Sequence, residues 1–119
     1  MTESTASSID LATFKELQET TGVEFTTELV DAFFDEAPQL LVQLAAALAA
    51  GQADAFRRTA HSLKTNALTF GALTLAAQAR ELEQQPIDSV SADSARPLDT
   101  LTQEYARVAA ALKVLCHAS

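Results

Sequence analysis

The chain has 119 residues, a formal net charge of -8 and a hydrophobic content of 48%. A chain of this length forms one domain that buries about two thirds of its unfolded surface. Its acidic balance argues against nucleic acid and anionic membranes as partners, because basic surfaces bind both. The single cysteine excludes an internal disulfide. The N-terminal residues do not resemble a secretory signal, and no apolar run is long enough to cross a bilayer, so we expect a cytoplasmic protein.

The composition favours helices throughout the chain. Alanine and leucine dominate the apolar residues, tryptophan is absent, and only 3 glycines and 3 prolines occur. Because alanine and leucine are strong helix formers, we expect an all-α fold. Residues 1–8 are small and polar and are expected to form a disordered tail, which leaves residues 9–119 as the domain. Asp10 can cap a first short helix that ends near Gly22.

The second predicted helix, from Val23 to Gly51, has the longest apolar pattern in the chain. Its apolar residues recur every three or four positions, as the buried face of a helix requires. These residues are Phe25, Leu29, Val30, Phe33, Phe34, Ala37, Leu40, Leu41, Leu44 and Leu48. The acidic residues between them are expected to lie on the solvated side.

Three further helices complete the predicted fold. The third starts near Asp54, whose side chain can cap it, and ends near Phe70. Gly71 then makes the turn into a fourth helix, which Pro86 ends, and residues 86–97 are expected to be a loop or a frayed helix start. The apolar stripe of the fifth helix consists of Leu98, Leu101, Tyr105, Val108, Leu112 and Leu115. The sequence therefore predicts an antiparallel up-and-down four-helix bundle with an additional short N-terminal helix.

The third helix places a histidine on its solvent-facing side. Leu63, Ala67 and Phe70 follow the spacing of a buried stripe, and His61 lies off that stripe. Residues three or four apart share a face of a helix. The residues that share the face of His61 are Arg57, Lys64, Thr65 and Leu68. An apolar side chain such as Leu68 on this polar patch suggests a docking surface.

Charge is segregated around His61. No Asp or Glu occurs between Asp54 and Glu81. Four cations fall in that stretch, namely Arg57, Arg58, Lys64 and Arg80. Their local positive field suits an anion, a phosphoryl group or an acidic pocket on another protein. In an antiparallel hairpin Glu83 can reach the imidazole, although it can also pair with Arg80 three residues away.

Other chemistries are poorly supported at His61. No second histidine, cysteine or acid lies three or four residues after it, so no metal site is expected. Ser62 follows His61 directly and faces elsewhere on a helix, which argues against a Ser/His/Asp set. The sequence has no glycine-rich phosphate loop, so we expect neither a nucleotide nor another cofactor. The only other histidine, His117, lacks comparable surroundings.

Ten residues of this hairpin resemble the signature of histidine-containing phosphotransfer (HPt) domains. They are His61, Ser62, Leu63, Lys64, Phe70, Gly71, Ala72, Leu75, Leu82 and Glu83. The flanking helices also fit, so the resemblance covers nearly the whole chain. One position departs from the family pattern, because Thr65 stands where the family usually has Gly or Ser.

The resemblance implies a phosphorelay intermediate without kinase activity of its own. His61 would accept a phosphoryl group at Nε2 from the aspartyl phosphate of a response-regulator receiver domain and pass it to another receiver. Lys64 would supply a cation beside the phosphoryl oxygens, and Glu83 would hold the other ring nitrogen. Mg²⁺ is expected only on the partner receiver, and a hybrid sensor histidine kinase is a further candidate partner. Arg57, Arg58, Thr65, Leu68 and Arg80 are the candidate partner-binding residues, and we expect a monomer.

The alternative hypothesis is a non-catalytic helical adaptor, or an HPt-like bundle that binds receivers but has lost transfer. Thr65 motivates it, because a β-branched side chain next to the acceptor could narrow the approach of a partner. The two hypotheses differ in one respect. Only the first requires the imidazole of His61 for signalling.

Overall fold

The computed structural model describes residues 8–84 and 95–117, and within them the fold is entirely helical. Its helices are α1 (Leu11–Thr21), α2 (Val23–Ala50), α3 (Ala53–Thr69), α4 (Leu73–Gln84) and α5 (Ala95–His117). The bundle consists of α2 to α5, and α1 packs against α2 and α3. The predicted all-α bundle with an additional short N-terminal helix is therefore confirmed.

The core lies between the apolar stripes of the helices. Its largest fully buried apolar side chains are Ile9, Phe14, Val30, Leu44, Phe56, Leu63, Leu75, Leu101, Val108 and Leu112. The ring of Phe33 lies 5.2 Å from that of Phe70 and 5.7 Å from that of Tyr105, measured between centroids. These two contacts join α2 to the end of α3 and to α5, and aromatic pairs of this kind add stability beyond the area that they bury.

The turn between α3 and α4 forms a tight hairpin because Gly71 adopts a left-handed conformation. Its φ angle is +79°, a region that side chains with a Cβ atom rarely enter. The amide of Ala72 donates to the carbonyl of Ala67 over 2.9 Å, and the amide of Gly71 donates to that of Leu68 over 3.1 Å. The last carbonyls of α3 are thus satisfied within the turn. This turn sets the register between the two helices that carry His61 and Glu83.

The short helix α1 is attached to this same turn. The amide of Asp10 donates to the carbonyl of Gly71 over 2.7 Å, and the carboxylate of Asp10 accepts from the amide of Thr13 over 3.2 Å. Asp10 therefore caps α1 as predicted, and it also joins α1 to the α3–α4 hairpin. Ser8 is buried, so the packed part of the chain includes one residue that the sequence assigned to the tail. Residues 1–7 lie outside the described residues.

Two details differ from the sequence predictions. Phe25 is 50% exposed, whereas the next residue, Thr26, is fully buried. The Thr26 hydroxyl donates to the carbonyl of Gly22. Because this bond satisfies the hydroxyl, Thr26 can be buried in the core although it is less apolar than Phe25. Asp54 is not the cap of α3, because the helix begins one residue before it and its N-cap is Gln52, without a side-chain hydrogen bond.

The predicted loop is only partly described. The sequence predicts a loop or a frayed helix start at residues 86–97. Helix α5 begins at Ala95, so the end of this segment starts a helix, and residues 86–94 lie outside the described residues. Within residues 8–84 and 95–117, none of the helices combines the length and the apolar character needed to cross a membrane.

Candidate functional site around His61

His61 lies in the middle of α3 on the side away from the core. Phe56, Ala60, Leu63 and Ala67 form the buried face of this helix, and Ala60 immediately precedes the histidine. Adjacent residues on a helix point about 100° apart, so the packing of Ala60 directs His61 outward. Its side chain is 57% exposed, as the sequence predicted.

The imidazole is held from the neighbouring helix by Glu83. Nδ1 of His61 lies 2.8 Å from Oε2 of Glu83. A carboxylate only accepts hydrogen bonds, so the neutral ring must carry its proton on Nδ1. Nε2 then has a free lone pair, and no hydrogen bond reaches it from the residues that the structure describes. The site thus presents an exposed imidazole with a fixed tautomer and an unoccupied nucleophilic nitrogen.

The same carboxylate also binds Lys64. Nζ of Lys64 lies 2.8 Å from Oε1 of Glu83, so each carboxylate oxygen has its own partner. The side chains of Lys64 and Glu83 are only 22% and 20% exposed. The Lys64 ammonium, followed by the His61 ring, lowers the pKa of Glu83 from its ordinary value of 4.5, so the carboxylate stays ionised at neutral pH. The sequence analysis did not predict the Lys64–Glu83 contact.

Thr65 lies one helical turn beyond His61 and is exposed. Its hydroxyl donates to the backbone carbonyl of His61 over 3.0 Å. This bond fixes the side chain next to the acceptor, because threonine in a helix commonly bonds the carbonyl four residues before it. A partner that approaches His61 from this side meets an ordered, branched side chain.

A shallow apolar groove adjoins the site between α3 and α4. Leu68, Leu73, Ala76 and Ala77 line it, with the cations Lys64 and Arg80 at its border. The Leu68 side chain is 47% exposed, which confirms its predicted exposure. Within the described part of the chain Arg80 makes no ion pair, so the alternative pairing of Arg80 with Glu83 does not form. Sequence reasoning missed Leu73, although its position off the stripe of Leu75 was a usable signal.

The two remaining cations do not join the imidazole. Arg57 forms an ion pair with Asp54, with Nη2 and Oδ1 2.8 Å apart, and both side chains are largely exposed. Arg58 lines a separate groove on the α2 side of α3, together with Thr59 and Ser62. The structure therefore gathers His61, Lys64 and Glu83 into one cluster and leaves both arginines at its periphery.

The acidic residues lie mainly elsewhere on the molecule. The outer side of the first half of α2 carries exposed acids at intervals of three and four residues, namely Glu24, Glu28, Asp31 and Asp35. In contrast, α3 and α4 carry no acid between Asp54 and Glu81. No group of His, Cys, Asp and Glu in residues 8–84 and 95–117 has the arrangement of a metal site.

Comparison with known proteins identifies the family. The model of the Hpt domain family matches residues 28–111. The crystal structure of histidine-containing phosphotransfer protein B (HptB) from Pseudomonas aeruginosa PAO1 superposes with a TM-score of 0.85 and 29% identity, and covers 94% of this chain and 96% of that chain. The curated proteins compared with the sequence give no significant match. The site and these two findings agree: the chain belongs to the Hpt family and is a phosphorelay histidine phosphotransfer intermediate.

Proposed function

We propose that His61 is the phosphoacceptor of this chain. Nε2 attacks the phosphorus of an aspartyl phosphate on a response-regulator receiver, an N–P bond forms, and the P–O bond to the aspartyl carboxylate breaks. The carboxylate leaves without requiring a proton. The reverse step delivers the phosphoryl group to the aspartate of a second receiver. The chain supplies the nucleophile, and the Mg²⁺ that neutralises charge during transfer belongs to the receiver.

The observation that carries this proposal is the contact between His61 and Glu83. It occupies Nδ1 over 2.8 Å and leaves Nε2 as the only free ring nitrogen on a side chain that is 57% exposed. A neutral imidazole is a competent nucleophile at neutral pH. When the N–P bond forms, the ring becomes positively charged, and the Glu83 carboxylate stabilises that charge. Lys64, on the next turn of α3, supplies a cation for the phosphoryl oxygens.

The groove beside His61 is the proposed contact surface for the receivers. Leu68 offers exposed apolar area, and Arg80 offers a cation that has no ion-pair partner among the described residues. A surface that combines apolar area with a cation suits a receiver whose active site is acidic and surrounded by apolar residues. Thr65 narrows the approach on the opposite side, and Arg57 and Arg58 add positive charge at the periphery.

The remaining expectations from the sequence are part of the same proposal. The chain acts as a carrier and has no kinase activity of its own, because it lacks the glycine-rich loop that would bind nucleotide phosphates. A hybrid sensor histidine kinase, whose receiver would be the donor, is a candidate partner. A cytoplasmic location and a monomeric state remain predictions.

Phosphotransfer from an isolated receiver tests the proposal directly. The protein is incubated with a radiolabelled, phosphorylated receiver and Mg²⁺, and the label is followed on the chain. We expect acid-labile, base-stable label that disappears in the His61→Gln variant. The matched control is His117→Gln, which removes the only other histidine and should retain full labelling. Equal labelling of both variants, or no label from any receiver of the source organism, would refute the assignment of His61.

The family assignment does not favour the non-catalytic alternative. The same variant distinguishes the two hypotheses in the cell. Loss of signalling in His61→Gln, with receiver binding retained, supports transfer. Full signalling by that variant would support the adaptor.

A further inference from the structure

The two oxygens of Glu83 bind groups that act at different stages of the reaction. Oε2 holds Nδ1 of His61, and Oε1 holds the ammonium of Lys64, each over 2.8 Å. Oε1 is buried and, within the described residues, accepts no hydrogen bond of good geometry, so its partner is the ion pair with Lys64. An imidazole that attacks phosphorus must be neutral. In that reactive form of the site, the positive charge that balances Glu83 comes from Lys64.

Transfer changes this charge balance. Nδ1 keeps its proton when the N–P bond forms, so the ring of phosphorylated His61 carries a positive charge directly against Oε2. The phosphoryl group at the same time adds up to about two negative charges beyond the far side of the ring. Glu83 then has a second cation to pair with, and the largest uncompensated charge in the site is the phosphoryl group.

Lys64 is placed to respond to that change. It lies three residues after His61, which puts the two Cβ atoms about 5–6 Å apart on one helix face. The ammonium is at the end of a flexible four-carbon chain and can move between neighbouring anions by rotamer changes. Its side chain is partly exposed, so leaving Glu83 does not require the bundle to open.

Building on the proposed function, we propose that Glu83 is a positioning residue for Lys64 as well as for His61. While His61 is unphosphorylated, Glu83 holds the Lys64 ammonium away from Nε2. When His61 is phosphorylated, the imidazolium replaces Lys64 as the partner of Glu83, and Lys64 moves to the phosphoryl oxygens. Return of the phosphoryl group to a receiver reverses both exchanges, and no proton enters or leaves the site.

Nuclear magnetic resonance of the lysine ammonium groups tests this exchange. The chain contains three lysines, Lys15, Lys64 and Lys113, so their ¹⁵N signals are few and can be assigned with Lys→Arg variants. Phosphoramidate, a small phosphoryl donor, replaces the receiver, and a ³¹P signal confirms the N–P bond. We expect the Lys64 signal alone to shift on phosphorylation. A phosphorylated His61 with an unmoved Lys64 signal would overturn this inference and leave the proposed function intact, whereas failure to phosphorylate His61 would overturn both.

Two variants extend the test. In Glu83→Gln the amide oxygen can still accept from Nδ1, but the side chain no longer attracts a cation, so the Lys64 ammonium should exchange with water faster before phosphorylation. Glu81→Gln removes an exposed acid from the same helix and should match the wild type. If Glu83→Gln leaves the exchange of Lys64 unchanged while circular dichroism shows a folded bundle, Glu83 does not hold Lys64 and the inference fails.

A pH titration followed by ³¹P resonance tests whether Lys64 contacts the phosphoryl oxygens after transfer. A Lys64 ammonium on the phosphoryl oxygens favours their ionised form, so Lys64→Gln should raise the pKa of the phosphoryl group. The expected change in proton affinity is roughly two- to fivefold, as for a partly exposed ion pair. An identical titration midpoint in the wild type and in Lys64→Gln would show that Lys64 does not reach the phosphoryl group.

Discussion

The substitution Gly71→Ala tests how the α3–α4 hairpin is held together. Gly71 has a φ angle of +79°, and a Cβ atom built on it would lie 2.8 Å from the carbonyl oxygen of Asp10 and 3.0 Å from Cβ of Thr13. Two penalties follow for alanine. A left-handed conformation costs an L-residue about 1–2 kcal/mol, and the forced separation of α1 from the turn adds a further cost of about 1–3 kcal/mol.

Gly51 provides a matched control, since it ends α2 with a similar conformation. Its φ angle is +67°, but a Cβ atom there would meet no atom within 4 Å in the described part of the chain. Gly51→Ala should therefore reduce the free energy of unfolding by about 1–2 kcal/mol, from the backbone term alone. Gly71→Ala should reduce it by about 2–5 kcal/mol, because it also disrupts the Asp10–Gly71 hydrogen bond.

Urea unfolding followed by circular dichroism measures both values. A single transition with the same slope as the wild type would justify a comparison of free energies. The reasoning fails if the two variants lose the same free energy, since the contact between α1 and the turn would then contribute nothing. A Gly71→Ala variant that retains full stability would also contradict the left-handed turn itself.

Three further predictions concern the site. Lys64→Ala should slow transfer from a receiver roughly tenfold, which corresponds to a loss of about 1.4 kcal/mol of transition-state stabilisation. Rapid-quench kinetics would measure this rate, and an unchanged circular dichroism spectrum would show that the variant is folded. A lost helical signal would instead make Lys64 structural. Thr65→Gly should accelerate transfer because it widens the approach to His61, and it should lower the free energy of unfolding by about 0.5 kcal/mol. An unchanged or slower transfer rate would show that Thr65 does not obstruct the partner. The pKa of Glu83 is lower in the folded chain than the ordinary value of 4.5, so its contacts stabilise the fold above that pH and lose their effect as the pH falls through the lowered value. The difference in stability between the wild type and Glu83→Gln should therefore shrink in urea titrations below pH 4.5, and a constant difference would refute it.

Periodicity alone predicted most of the fold. The stripe of Leu63, Ala67 and Phe70 is buried as expected, because a helix in water must place its apolar face against other helices. The same rule failed at Phe25, in the first turn of α2. There the hydroxyl of the neighbouring Thr26 donates to the carbonyl of Gly22, and Thr26 is buried in the core instead of Phe25. Apolar spacing cannot anticipate such an exchange.

The candidate site was predictable where it depended on neighbours within one helix. The outward position of His61 and the exposure of Leu68 follow from α3 alone. The Lys64–Glu83 contact joins two helices, so it depends on the register that the turn at Gly71 imposes. Outside the site, the sequence analysis also missed buried Glu104 on α5, whose carboxylate pairs with Arg107 over 3.0 Å.

The separation of charge between α2 and the α3–α4 hairpin has a consequence for encounters in solution. The molecule is acidic as a whole, with a net charge of -8, yet the surface around His61 contains the acid-free stretch between Asp54 and Glu81. An acidic protein is repelled by the acids along α2 and is repelled less at the hairpin, where the four cations outnumber Asp54, Glu81 and Glu83 by one. At physiological ionic strength these forces extend only about 8 Å, so they act on the final reorientation of the two proteins and reduce the number of unproductive collisions.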